Sequence, residues 1–184
     1  MNTIVTSKDE ILKTSRELIQ QQGWTAVNIR SVATACGVSV GSIYNYFESK
    51  SDLVSATVES VWCEIFHRPE EATFQNIQTC IIWIYERIEY GSKQYPGFFN
   101  LHSLGFMNED KSDGKRRMQQ TWQHILYGLR SVLERDQKIR SDAFNEQFTA
   151  EKFADVLFSL ILSALIRHDY DPAPVLEIVS RTLY

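Results

Sequence analysis

Few of the 184 residues are of types that do covalent chemistry, and none is arranged to do it. His67, His102, His124 and His168 are scattered, with no two of them at the i, i+4 spacing of a helical site. Cys36, Cys63 and Cys80 are odd in number, lie far apart and form no CxxC. They read as reduced core residues of an intracellular protein. A glycine-rich phosphate loop, a nucleophile elbow, an HExxH pair and a paired-carboxylate constellation are all lacking, so no catalytic residue, metal or cofactor is expected. The residues that stand out are uncharged: Val40, Gly41, Ser42, Tyr44, Asn45 and Tyr46. A merely solvated helix face would carry Lys and Glu. These side chains suit hydrogen bonding or close approach.

The flanking residues say how that run is held. Asn28 is a good N-cap. Ile29, Val32, Ala33 and Cys36 follow at i, i+3, i+4 and i+7, the apolar face of a short helix. Gly37 supplies the left-handed residue that ends it, and Val38 plugs the corner. Ser39 caps a second helix, expected over Val40 to Phe47, with Ile43 and Phe47 facing inward one turn apart. Two short helices about a glycine turn, the second offering small polar groups, form a helix-turn-helix whose second helix enters the DNA major groove.

The segment from Ile11 to Leu53 resembles the DNA-binding domain of the tetracycline-repressor (TetR) family of bacterial transcription regulators. The matching residues are Ile11, Ser15, Leu18, Gly23-Trp24, Val32-Ala33, Cys36-Gly37-Val38-Ser39, Gly41-Ser42-Ile43-Tyr44, Tyr46-Phe47, Ser49-Lys50 and Leu53. The pattern GVSxGxxYxYFxSKxxL is more specific than a bare helix-turn-helix. The resemblance covers about the first third of the chain. It implies an all-α protein of about nine helices. Residues 1–50 would form a three-helix DNA-binding domain, and 51–184 a helical domain for effector binding and dimerisation. It also implies DNA contacts. Val40, Gly41, Ser42 and Asn45 would face bases, Val40 meeting a thymine methyl and Asn45 an adenine. Tyr46 and Lys50 would meet phosphates, and Ser39, the helix cap, counts among the DNA-binding residues. Tyr44 would reach a phosphate or pack inside, Arg30 would reach DNA or remain a surface charge, and Asn28 would cap and touch phosphate.

Charge bears on this. The formal net charge is −4. Through Lys50, five bases (Lys8, Lys13, Arg16, Arg30, Lys50) against four acids (Asp9, Glu10, Glu17, Glu48) leave +1. No basic patch results, so non-specific affinity is expected to be modest. The chain opens on a short polar stretch that is no signal peptide. Its longest apolar run, Val156 to Ile166, is too short to span a bilayer. A soluble, cytoplasmic bacterial protein without membrane contact is expected.

In order, Ser7 with Glu10 caps a helix from Lys8 to Gln22 whose inner stripe is Ile11, Leu12, Ser15, Leu18 and Ile19. Gly23 ends it, and Trp24 covers the helix end, its indole edge near the DNA backbone. Ser49 caps a fourth helix to about Phe66. Helical spacing returns from Phe74 to Gln94, breaks at Tyr95-Pro96-Gly97, and gives a short aromatic helix over Phe98 to Phe106. A polar loop over Asn108 to Gly114 precedes a long helix from Lys115 to Asp136. Thr149 caps the next helix, Ala150 to His168, and a last one runs to Tyr184.

The helix from Ala150 is apolar nearly all round, which requires burial on every side. A second copy of the chain is the expected cover. The interface is drawn on Phe153, Val156, Leu157, Leu160, Ile161, Ala164, Leu165, Leu176 and Val179, with Ile178 and Leu183 of the last helix adding to the face. In TetR-like proteins the last two helices of each subunit form such a four-helix interface, and a homodimer matches a palindromic double-stranded operator. The resemblance further implies a small-molecule pocket. Trp62, Trp83, Arg87, His102, Phe106, Trp122 and Phe158 are its candidate lining, for a hydrophobic or aromatic effector. Aromatic residues at helical spacing are also ordinary core. Two functions remain in view: a repressor released by an effector, or a dimeric DNA-binding protein that recruits a protein partner or activates.

Overall fold

The computed structural model of the chain describes residues 6–67, 74–99 and 112–184, the side chains of 112–121 excepted. Among the described residues there are eight α-helices and no strand. They are α1 (Lys8–Gln22), α2 (Ile29–Ala35), α3 (Val40–Tyr44), α4 (Lys50–Ile65), α5 (Ile77–Gln94), α6 (Ser112–Arg135), α7 (Ala150–Arg167) and α8 (Ala173–Leu183). A 3-10 turn, Trp24–Ala26, joins α1 to α2. Among the described residues no helix is long and apolar enough to cross a membrane. The chain packs as two compact units, one of residues 1–65 with 91–119, the other of 66–90 with 120–184. Residue 50, the expected domain boundary, is the first residue of α4, which packs on α1 within the first unit.

In the first unit the helix ends are fixed locally. Ser7 Oγ accepts the Glu10 N–H at 3.1 Å to start α1, and Gly23 ends it at φ 80°. Ile11, Ser15, Leu18 and Ile19 are buried, with Ser15 donating back to the Ile11 carbonyl at 2.8 Å. Leu53, Val58, Val61, Trp62 and Ile65 form the inward stripe of α4. Arg16 of α1 bonds the Ser60 hydroxyl and pairs with Glu64, both on α4. Glu64 also accepts the Tyr95 hydroxyl at 2.7 Å. Trp24 lies against Phe98 at 5.8 Å between ring centres, and Phe98 against Trp62 at the same distance. The indole therefore packs on an aromatic cluster.

In the second unit one buried carboxylate holds three segments. Asp136 accepts the Ile77 N–H at 3.1 Å, capping α5 from 59 residues away, and the Lys138 N–H at 3.0 Å. The Tyr184 hydroxyl donates to the same carboxylate. Ile77, Ile81, Ile84, Tyr85 and Ile88 of α5 are buried, as are Leu129 and Leu133 of α6. Phe144, Phe148 and Phe153 stack at 5.4–6.4 Å and anchor the connector before α7. Thr149 caps α7 by accepting the Lys152 N–H at 3.2 Å.

Several expected boundaries move. α3 ends at Tyr44, because Tyr46 N–H turns back to the Ile43 carbonyl at 3.0 Å and tightens the last turn. α4 ends at Ile65, one residue early. α6 begins at Ser112, so the polar stretch to Gly114 belongs partly to the helix. His168 is the left-handed cap of α7, at φ 53°, rather than its last residue. The expected helix over Phe98 to Phe106 is helical at 98–99 and otherwise lies outside the described residues. Of the three cysteines only Cys80 is buried. Cys36 is half-buried where α2 ends, and Cys63 is exposed on the outer side of α4.

Removing the shared carboxylate strands two backbone donors. Asp136→Ala is expected to cost about 3 kcal/mol and Tyr184→Phe about 1.5 kcal/mol, read from urea-unfolding midpoints. Burial first, then the neighbouring carboxylate, hold the Tyr184 and Tyr95 phenols above the ordinary value of 10. A raised phenol keeps its proton in the folded state while the unfolded chain loses it. The stability linked to these groups is thus complete below about pH 10 and falls above it. A Tyr95→Phe/Tyr184→Phe double variant should show a shallower alkaline fall than the parent. An equal fall would remove these phenols as its source.

Candidate nucleic-acid interface

The site is built from the turn outward. Asn28 Oδ1 accepts the N–H groups of Arg30 at 3.0 Å and Ser31 at 3.1 Å. Ser31 Oγ returns the favour by accepting the Asn28 N–H at 3.1 Å, closing a capping box on α2. Ile29, Val32 and Ala33 are buried. Gly37 sits at φ 67°, in the left-handed region that lets the chain reverse without a clash. Val38 N–H then reaches back to the Ala33 carbonyl at 3.0 Å. Ser39 Oγ accepts the Ser42 N–H at 3.1 Å and starts α3.

α3 is fastened on one side only. Ile43 is 0% and Phe47 1% exposed, and these two side chains press the element onto the first unit. Its other side faces out. Val40 is 41% and Tyr44 51% exposed, and Gly41 and Asn45 are exposed beside them. The exposure of Tyr44 removes its interior alternative. Ser42 is half-buried, its hydroxyl paired with Ser39 at 2.9 Å. A methyl group added at Gly41 would meet only Ser39 Oγ, at 3.7 Å, an ordinary contact. The fold therefore does not require glycine there.

The remaining expected contacts divide. Arg30, in the first turn of α2, and Lys50, opening α4, are exposed. Asn28 is spent largely on capping; its amide also donates to the Ala26 carbonyl at 3.4 Å. The Tyr46 hydroxyl donates to the Thr6 carbonyl and clips Thr6, just ahead of α1, to this element. That leaves it no proton for a phosphate oxygen. Sequence reasoning missed this clip because Thr6 and Tyr46 lie 40 residues apart and nothing local marks the pair.

The candidate effector and interface residues lie elsewhere. In the first unit Trp62 is buried against Phe98 and Phe99. In the second, Trp83 stacks with Phe66 at 5.9 Å and Phe74 at 5.4 Å, and the Arg87 guanidinium lies 4.4 Å from the Tyr90 ring centre. Trp122 meets the buried Phe158 at 5.8 Å. His102 and Phe106 lie outside the described residues. Of the residues drawn on for a dimer interface, Phe153, Leu157, Ile161, Ala164, Leu165 and Val179 are already buried within the single chain. Their faces are used by the core of the second unit and are not free for a second copy. Leu160 and Leu176 are half-buried, and Val156 is 45% exposed. Ile178, expected on the last helix, is 43% exposed, Leu183 is buried, and Ile166, 54% exposed, was not among the expected residues. The spacing Val156, Leu160, Ser163, Ile166 is the stripe that would have found Ile166.

Comparison with known proteins agrees with this geometry. Residues 11–57 match the family described as bacterial regulatory proteins, tetR family. An HTH-type transcriptional regulator of Bacillus subtilis, YerO, is 38% identical over 52 residues. That match spans 28% of this chain and only 18% of YerO's own length. Among solved structures, a TetR transcription regulator from Haloarcula marismortui superposes with a TM-score of 0.68 at 16% identity, covering 95% of each chain. FadR of Bacillus subtilis, solved in complex with stearoyl-CoA, gives 0.64 at 14% identity, covering 97% of this chain and 100% of that one. At such identities the structural likenesses speak for the fold. With α1 to α4 disposed about a capped glycine turn, residues 11–57 match the N-terminal DNA-binding domain of the tetR family of bacterial regulatory proteins, and the whole chain shares the fold of solved TetR regulators.

Proposed function

We propose that the chain is a sequence-specific DNA-binding transcriptional regulator that acts as a homodimer on a palindromic operator. Repression relieved by a small effector is the mode proposed. The carrying observation is the outward side of α3, where uncharged, exposed Val40, Gly41, Tyr44 and Asn45 stand opposite the buried anchors Ile43 and Phe47. A side chain inventory of this kind suits base edges in a major groove, with exposed Arg30 and Lys50 on the flanking helices for phosphates.

The second unit supports the rest of the reading. Val156 and Ile166 on α7 and Ile178 on α8 leave apolar surface outward, which a second copy would cover. Two copies related by a two-fold axis would set their α3 helices about 34 Å apart, one DNA turn. For the effector, the Trp122 indole N–H is buried without an acceptor among the described residues, beside the ring of Phe158. That is one polar donor in an aromatic setting, suited to an apolar ligand carrying a single acceptor. FadR, the neighbour solved with stearoyl-CoA, is a precedent for a ligand with a long acyl chain on this fold.

Selection of bound fragments from random and genomic DNA by the purified protein tests the whole. A palindromic site is expected; a folded protein that enriches no sequence at low salt would reject the reading. Gly41→Ala is expected to leave the fold intact and to stabilise it by up to about 1 kcal/mol. On the selected site it should bind at least tenfold more weakly, because the added methyl stands between α3 and the groove. Unchanged affinity would show that α3 does not approach DNA at Gly41. For the dimer, Val156→Glu with Ile166→Glu should sediment as a single 21.3 kDa chain with unaltered helix content, since neither side chain fills the core. A folded variant that keeps the parent's dimeric mass would place the interface elsewhere.

A further inference from the structure

Resting on that reading of α3 as a DNA-reading surface, we propose that each operator half-site has an A·T-rich centre. Val40 would read a thymine methyl and Asn45 an adenine edge, with no arginine–guanine contact from the recognition helix. Two rows of side chains lead to this. Val40 and Tyr44 are four residues apart and share one outward row, while Gly41 and Asn45 share the next. Side chains on a helix lean toward its N-terminus, so Asn45 lies over the turn begun by Gly41. Gly41 contributes no side chain there, and space for a β-carbon is open apart from Ser39 Oγ at 3.7 Å. The amide of Asn45 thus has room to lie flat against a base edge. Its carboxamide offers one acceptor and two donors, the complement of adenine N6 and N7.

The same surface discriminates against G·C. Guanine presents two acceptors in the major groove, which are met best by Arg or Lys. Between Asn28 and Lys50 the cations are Arg30 and Lys50, on α2 and α4, and α3 carries none. Ser42 is half-buried and paired with Ser39 at 2.9 Å, so the exposed hydroxyl donor of α3 is the Tyr44 phenol, which carries no charge and lacks the two-pronged fork that suits guanine. Val40 placed over a G·C edge would bury guanine acceptors or the cytosine amino group without partners, which costs free energy. Over an A·T pair it meets the thymine methyl, apolar against apolar.

The test uses the full-length protein on sites taken from the binding selection. Replacing the central thymine by uracil removes one methyl and should weaken binding roughly fourfold, the burial of about 0.8 kcal/mol at 1.4 kcal/mol per tenfold. Val40→Ala should bind thymine and uracil sites alike. Replacing the read adenine by purine, which lacks the N6 amino group, should weaken the parent protein roughly tenfold. That loss should vanish in Asn45→Ala. Enriched sites with G·C centres, or a parent protein indifferent to both base changes, would overturn this inference and leave the DNA-binding reading standing. Failure to enrich any site would overturn both.

Discussion

A five-residue helix does not hold itself together in water. α3 has barely one turn of backbone hydrogen bonds, below the length at which helix propagation repays nucleation. Its pose depends on burying Ile43 and Phe47, together with the Ser39 cap and the left-handed Gly37. Burial of two large apolar side chains contributes on the order of 3–6 kcal/mol, more than the caps combined. Everything exposed on α3 is therefore free to be chosen for what it touches. The inner side supplies the stability, and the outer side has no structural duty.

The first unit extends that arrangement. Phe47 is packed inside while the ammonium of Lys8 sits 5.6 Å from its ring centre, so the start of α1 covers the end of the reading element. Tyr46 adds a second tie to the same region through Thr6. Farther from α3, Glu64 gathers Arg16 and Tyr95, binding α1, α4 and the turn after α5 into one polar node. A charge pair at such a node is worth little as exposed Coulomb attraction. Its larger role is directional, since both partners must be in place for the carboxylate to be satisfied.

Local signals in the sequence carried most of the helical architecture. Ser7, Asn28, Ser39, Ser49 and Thr149 each sit one residue ahead of a helix, and Gly23 and Gly37 end two of them as their chemistry requires. What stayed hidden was contact between distant positions. Asp136 caps α5 from 59 residues away, and a lone Asp at the end of a helix reads like any polar terminus. The apolar circumference of α7 was legible, but not how it divides. Leu157 and Ile161 go to the core of their own unit, while Val156 and Ile166 are left outside. Periodicity says that a face is apolar; only packing says which face the same chain has already used.

Charge then limits what kind of DNA contact the proposed function can use. The +1 balance through Lys50 overstates the free cations, because Arg16 is turned inward to Glu64 and Ser60. Lys8 is occupied over Phe47. Affinity from counterion release scales with the number of phosphates neutralised, so few free cations mean weak attachment to arbitrary sequence. That is a cost in absolute binding and a gain in discrimination. With the non-specific term small, differences at base edges make up a larger share of the total. A neutral α3 on a nearly neutral domain fits a protein that dwells at its own sites and releases other DNA readily.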